Sequence, residues 1–476
     1  MQKTAKYIVA ALLGVVTSSS LYAQESMRSA YFMDGFTYRH ELNPAFAGER
    51  NYVSIPALAN MNVGAMSNVG VNTFLYKMPN GELTTFLNSA VDANSFLNKL
   101  ADTNKVTGEL NITLLSAGFK AFHGYNTVTI GARAFVGASL PKDLFTFAKL
   151  GMTSDQTTYN FKNVAVKANA VAEVSLGHSH DINSKITVGA KLNILLGVAD
   201  INSKISNMDV RLSDQQWSVT ADAVMDMAAG SGLVVPTKQE SGKEYSEASM
   251  ADLVDWDGLD YDSFGLSGTG ASLDLGVVYK VTNDLTLSGA ILDLGFMNWK
   301  HNIKAKTSNS TWKFNGFQEI AFNKNQPNYD QNKLDEQFDR LTDDLEDLVN
   351  FHRTEVDATR SQAVAPTITI GAEYAMPFYR NLTGGFLFTQ KINGVFSWTE
   401  GRLSANVKPA KWFDASINYG LSTFGSSFGW IINFHPKGFN FFIGSDHQFF
   451  KITPQVVPVG NASASFSFGM NVTFGS

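Results

Sequence analysis

The chain has 476 residues, of which 44% are hydrophobic, 12% aromatic and only 17% charged, where a soluble domain carries roughly 25% charge. A net charge of −6 and a pI near 5.8 provide no concentrated basic face, which excludes a nucleic-acid partner. The absence of cysteine removes disulfides, thiolate catalysis, Cys-ligated zinc, iron–sulfur clusters and a lipoprotein anchor in one step.

In chain order, Lys3 and Lys6 precede an apolar run from Tyr7 to Val16, then Ser18–Ser20 and Leu21-Tyr22-Ala23. This pattern predicts a cleavable export signal over residues 1–23. Its apolar run is too short to cross a bilayer as a helix, which needs roughly 20 residues. Loss of the two lysines would take the net charge from −6 to −8. No later apolar stretch is long enough for a helical span. An exported chain of low charge is then either a soluble β-sandwich or a transmembrane β-barrel.

Periodicity favours the barrel. From Ser465 to Phe474, Phe466, Phe468, Met470, Val472 and Phe474 share one face, and Ser465, Ser467, Gly469, Asn471 and Thr473 the other. The same alternation runs from Val164 to Leu176 and from Ile186 to Val198. These runs exceed the five or six residues usual in globular sheets and reach the roughly 9–11 needed to cross a bilayer. Shorter runs recur at 128–136, 273–279, 368–374, 403–407, 413–421, 428–434 and 439–443. Turn chemistry at Gly124-Tyr125-Asn126, Asp181–Ser184, Thr282-Asn283-Asp284 and Pro436-Lys437-Gly438 separates antiparallel hairpins. The expected fold is all-β, an up-and-down antiparallel transmembrane barrel over residues 52–476 with about 14 strands, since such barrels close with even counts. Its polar face would line the lumen. Trp299, Trp312, Trp398, Trp412, Trp430, Tyr379 and Tyr419 are expected near strand ends, as an interfacial girdle.

Some stretches depart from this pattern. Val91–Ala101, with Phe96, Leu97 and Leu100, and Pro141–Leu150 read as short loop helices, the second opening on a first-turn proline. Residues 229–263 turn acidic and predict a long solvated loop. Residues 328–357 carry Leu334, Phe338, Leu341, Leu345, Leu348 and His352 at helical steps among acidic neighbours, which predicts an amphipathic helix. That helix could cover the barrel mouth or dock an envelope protein partner.

Catalytic patterns are weak. Gly425-Ser426-Ser427-Phe428-Gly429 matches a nucleophile-elbow string but lies between strands rather than before a helix. His178 and His180 supply two imidazoles without a third ligand. Asp255, Asp257, Gly258, Asp260 and Asp262 lack the closing glutamate of a calcium loop. No phosphate-binding glycine loop is present. No catalytic, cofactor or metal site is therefore expected, and the chain does not read as an enzyme.

Residues 24–51 contain Tyr38-Arg39-His40-Glu41-Leu42-Asn43-Pro44-Ala45-Phe46-Ala47. With Leu114–Ala121, Leu140–Phe145 and the Phe264–Leu266 to Asp274–Gly276 segments, this opening resembles the DUF5723 family of uncharacterised Bacteroidetes outer-membrane barrels. Asn43-Pro44-Ala45 after an export signal is more distantly similar to the FadL fatty-acid transporters and to PorP/SprF-type secretion and gliding barrels. The resemblance implies an outer-membrane location, with residues 24–51 tucked into the barrel as a hatch and His40, Asn43, Pro44, Ala45 and Phe46 as its motif. From the residues alone, Pro44 and the extended residue before it fit equally a simple turn into a first strand near Tyr52. The implied function is passage or binding of small or hydrophobic solutes through a plugged lumen, with outer-membrane lipid as the surrounding partner. The alternative is a scaffold subunit of an envelope secretion, gliding or assembly complex.

Overall fold

The computed structural model describes residues 27–48, 50–56, 58–153, 157–213, 215–230, 233–238, 253–255, 260–261, 265–307, 311–315, 350–448 and 463–475. A single antiparallel sheet closes on itself. Its wall has fourteen staves, some of them interrupted. β1 is Asn51–Ser54 continued by Asn60–Ser67, β2 is Thr103–Ala121, and β3 is Gly124–Pro141. β4 joins Thr158–Asn160 to Ala165–Asp181, and β5 is the 27-residue Ile186–Leu212. β6 joins Trp217–Ala228 to Gly268–Lys280, β7 joins Leu285–Lys306 to Thr311–Phe314, and β8 joins His352–Ala363 to Thr367–Ala375. β9 to β14 are Leu382–Lys391, Trp398–Ala410, Phe413–Ser422, Gly425–Phe434, Asn440–Ser445 and Ala464–Phe474. β1 meets β14, with Asn51 opposite Phe474 and Met61 opposite Phe468, so no edge remains.

Each interrupted stave is identified by its neighbour. β5 pairs with Gly268–Tyr279 along its first half and with Trp217–Ala228 along its second, so the two pieces of β6 are collinear. β7 likewise pairs along its length with both pieces of β8. Bulges at Thr113/Leu115, Ala170/Val171, Asp222/Ala223 and Leu273/Leu275 restore the inside–outside alternation after each extra residue.

Alternation sorts the side chains as the sequence requires. Leu176, Leu192, Ile194, Leu294, Phe386, Leu403, Ile417, Leu421 and Phe466 are exposed on the outer face. Glu173, Asn193, Asp274, Asp293, Arg402, Asn418 and Asn471 are buried on the inner one. An all-round apolar exterior with its polar groups inside is the inverse of a soluble protein and matches a wall solvated by lipid.

Short turns lie at the end that holds both Asn51 and Phe474. Between β2 and β3, Phe122 and His123 both take positive φ, +53° and +58°, the geometry of a two-residue primed turn. The turn therefore precedes Gly124-Tyr125-Asn126, which opens the next strand instead of forming the loop. The exposed Phe122, Tyr279, Phe378, Trp412, Phe434 and Phe474 ring this end. Of the aromatics expected in a girdle, Trp412 and Tyr379 are exposed at turns, but Trp299 and Trp398 are buried and point inward. Trp299 packs with Leu195, Ala228 and Met297, filling the gap where β6 is interrupted.

The opposite end carries the longer connections. Helices α1 (Val71–Phe74), α2 (Ala93–Leu97) and α3 (Lys142–Leu150) form a cap there. Its core is Phe86, Phe96 and Phe145 with Val69, Val91, Leu97 and Leu100. The Asp92 side chain accepts from the Ser95 amide and caps α2. Pro141 caps α3 rather than occupying its first turn, because it still pairs with Thr103 as the last residue of β3.

Two expectations need correction. Within residues 229–263, Leu233–Val234 pairs with Asp260–Tyr261 and Thr237–Lys238 with Leu253–Val254, so part of the acidic stretch is sheet. Val235 and Val254 join Met227 and Ile303 in a buried cluster, which anchors it. Within residues 328–357, positions 328–349 lie outside the described residues. His352 and the residues after it form strand β8 rather than the end of a helix, because Arg353, Glu355 and Ala358 pair across to β7. No described helix is long and apolar enough to cross a membrane.

Candidate functional site

Residues 27–48 lie inside the barrel, toward the end with the short turns. Every residue from Met27 to Met33 is buried. Two 3-10 turns, Arg28–Ala30 and Thr37–Glu41, fold the segment tightly enough to fit. Phe36 packs edge-on against Phe442 at 4.8 Å, Tyr38 against Tyr52 at 5.6 Å and Tyr31 against Phe46 at 5.1 Å.

Polar contacts fix its depth. The amides of Arg28 and Ser29 donate to the Asp446 carboxylate at 2.8 and 2.7 Å. The Arg28 guanidinium lies 3.1 Å from Glu400 and 4.7 Å from the centre of the Trp398 ring. Arg402 forks onto both oxygens of Glu400 at 2.8 and 3.0 Å. Lower down, Thr37 donates to Asn440 at 3.1 Å, and Tyr31 meets Ser288 at 3.1 Å.

The five motif residues identified in the sequence touch β1, β5, β6, β7 and β9. His40 Nε2 is 2.8 Å from the Tyr52 hydroxyl. Asn43 Oδ1 accepts from the Ala45 amide at 2.9 Å, closing a turn around Pro44. Asn43 Nδ2 donates to the strand carbonyls of Gly289 at 3.2 Å and Val277 at 3.5 Å. A Cβ on Gly276 would collide with the Asn43 side chain, and one on Gly189 with the Pro44 carbonyl. Those two glycines leave the wall bare where the turn docks. Ala45 and Phe46 are buried beside Val278 and Leu387.

Burial pushes the Glu41 carboxyl up to about 7, opposed by the Lys191 ammonium and by hydrogen bonds from Thr113 and Asn60. Burial also drives the His40 imidazole down to about 3, so it stays neutral.

Above the segment lies a cavity of about 70 Å³. Eight of its eighteen lining side chains are carboxyl, ammonium or guanidinium groups, which sets its chemistry as polar. One wall pairs these among themselves. Arg133 reaches Glu173 at 3.0 Å and both oxygens of Asp293 at 2.7 and 2.9 Å. Lys191 reaches Asp274 at 2.8 Å, and Asp274 also accepts from Asn193 and from the Asp293 amide. Across the lumen, Thr369, Thr389 and Lys391 face the same space from β8 and β9. These charged positions were overlooked in the sequence. Their one signal was an isolated charge on the polar face of an otherwise apolar alternating run.

Other motifs resolve simply. Ser427 lies in the straight strand β12 with Arg402 Nη2 at 3.4 Å, and no helix follows to form an elbow. His178 and His180 stack at 6.0 Å, with His178 held by Asn126 at 2.9 Å. No group of three metal-binding side chains occurs among the described residues. Of the acidic run, Asp257, Gly258 and Asp262 lie outside the described residues.

A closed fourteen-stranded antiparallel barrel with an apolar exterior and an occupied polar lumen is a transmembrane β-barrel. A family model described as a family of unknown function, DUF5723, matches residues 44–446, and the chain belongs to that family. No curated protein sequence matches it. Among solved structures, the Pseudomonas putida toluene transporter TodX is 9% identical with a TM-score of 0.39, covering 95% of this chain and 97% of its own. A Pseudomonas aeruginosa FadL homologue is 11% identical with a TM-score of 0.39, covering 96% of this chain and 99% of its own. The translocator domain of the Neisseria meningitidis autotransporter NalP is 8% identical with a TM-score of 0.31, covering 90% and 89%.

Proposed function

We propose that the protein is an outer-membrane channel for small polar solutes, closed by residues 24–51 acting as a hatch. The observation that supports this most is the juxtaposition of the buried 27–48 segment with a charged cavity just above it. A barrel serving only as a wall has no need of a polar interior. Even paired, buried charges often stabilise no more than apolar residues of similar volume would, so their retention points to use. The hatch is held to the wall by side-chain contacts and by one Asx turn on bare strand glycines, and none of these is part of the wall's own hydrogen-bond ladder. Short turns and both barrel ends on one side, with longer connections on the other, match an orientation in which the hatch faces the periplasm.

The test is solute flux. Protein reconstituted in liposomes and in planar bilayers is compared with a variant lacking residues 27–48. Low conductance in the wild type and a rise on deletion are expected. If neither protein passes ions or small polar solutes, passage is abandoned as the function.

A further inference from the structure

The cavity's second wall is chemically unfinished. Thr369 and Thr389 are direct partners across β8 and β9, and the next inward pair along the ladder is Thr367 with Lys391. The hydroxyls of Thr369 and Thr389 are buried, with 5% and 2% of the residue exposed, and have no hydrogen-bond partner among the described residues. Lys391 Nζ stands 3.8 Å from Glu109 Oε1, an ion pair too long to be a hydrogen bond. A buried hydroxyl left unpaired is unfavourable, and two side by side facing a cavity imply an occupant that satisfies them. The facing Arg133–Asp293–Glu173 and Lys191–Asp274 groups are already paired, so they shape the cavity rather than compete for the occupant.

From this arrangement we infer a binding site for a short hydroxylated carboxylate, with its carboxylate on Lys391 and its hydroxyls on Thr369 and Thr389. Thr389 and Lys391 lie two residues apart on one strand, with Cα atoms about 7 Å apart, so both side chains face the same side. A chain of three or four carbons suits the modest volume of the cavity. Tyr31 and Leu387 bound the site on the hatch side, and Trp398 stands opposite Lys391 in the ladder. The site names the solute class of the proposed channel and rests on that reading for its purpose, but its occupancy can be measured without flux.

The probe is glycerate, titrated calorimetrically into the folded full chain in detergent, with glycerol and propionate as controls. Saturable glycerate binding at least tenfold tighter than either control is expected, because each control lacks one half of the recognition. The Thr369→Val/Thr389→Val variant keeps the shape and removes both hydroxyls, and is expected to weaken glycerate at least tenfold. Lys391→Gln is expected to level glycerate with glycerol. Should a variant fail to fold, shown by lost heat-modifiable gel mobility, the wild-type comparison of the three probes decides alone. No saturable glycerate binding, no preference over propionate, or equal affinity in the double-valine variant overturns the site. Flux of small ions without glycerate binding overturns the site and leaves the channel. Glycerate binding without any flux does the reverse.

Discussion

Two glycines and one carboxyl group bear on how residues 27–48 sit in the barrel. Gly189 and Gly276 are strand positions where a side chain would normally help, since glycine weakens a strand. Their lack of a Cβ is what admits the Asn43–Ala45 turn. Gly189→Val drives a branched side chain into the Pro44 backbone, which cannot yield as a flexible side chain would. The expected outcome is a folded barrel with a displaced hatch, read as raised conductance and as new protease cleavage after Arg39. Glu41 adds a pH dependence. Its carboxyl in the docked state sits near 7, above the ordinary value of 4.5. The docked segment therefore holds a proton that the released one gives up. Docking is fully favoured below about pH 4.5 and weakens as pH rises through about 7. Hydrogen exchange over residues 27–48 should quicken across that window, and Glu41→Gln should flatten the change. An unaltered profile in the variant would assign the effect elsewhere.

At the scale of elements, the alternating strands were legible and their interruptions were not. Ser465–Phe474 falls within the observed Ala464–Phe474 because one strand's alternation is a local property. The break in β6 between Ala228 and Gly268 depends on β5 being long enough to pair with both pieces, which no local window contains. The helical spacing of His352 likewise yielded to pairing with β7, since tertiary partners override a weak local period. The Asn43-Pro44-Ala45 string was visible, but the carbonyls of Val277 and Gly289 that Asn43 meets, more than two hundred residues away, were not. The cap above the barrel is a separate packing unit. Phe96 is fully buried there and stacks on Phe86 at 4.4 Å. Phe96→Ala should destabilise the cap by about 3–5 kcal/mol. Faster proteolysis within residues 71–102 and 142–150 is expected, while the barrel strands between them persist.

For the whole molecule, the decisive partition is between a wall solvated by lipid and an interior solvated by its own chain. Leu403 is 64% exposed in the middle of β10 and therefore samples the apolar belt. Leu403→Arg should cost roughly 2–4 kcal/mol of folding into bilayers, as expected for a cation near the midplane of a barrel's outer face. A denaturant titration in thin-chain lipid vesicles measures it, and a value near zero would remove Leu403 from the lipid-facing surface. The low charge content of the chain thus reflects where charges can be afforded. Within the lumen, charges are held in pairs, Arg402 with Glu400 and Arg133 with Asp293.

The contact between Arg28 and Asp446 spans 418 positions of the chain, and this separation bears on the order of assembly. Residues translated near the start are gripped by side chains made after most of the wall. The seam between β1 and β14 can form only later still. Threading a folded segment into a finished cylinder would mean breaking its contacts or the wall's. Growing strands wrapping around a waiting segment avoids both. The segment would then act as a mandrel, giving the nascent sheet its curvature and circumference, before any service as the proposed hatch.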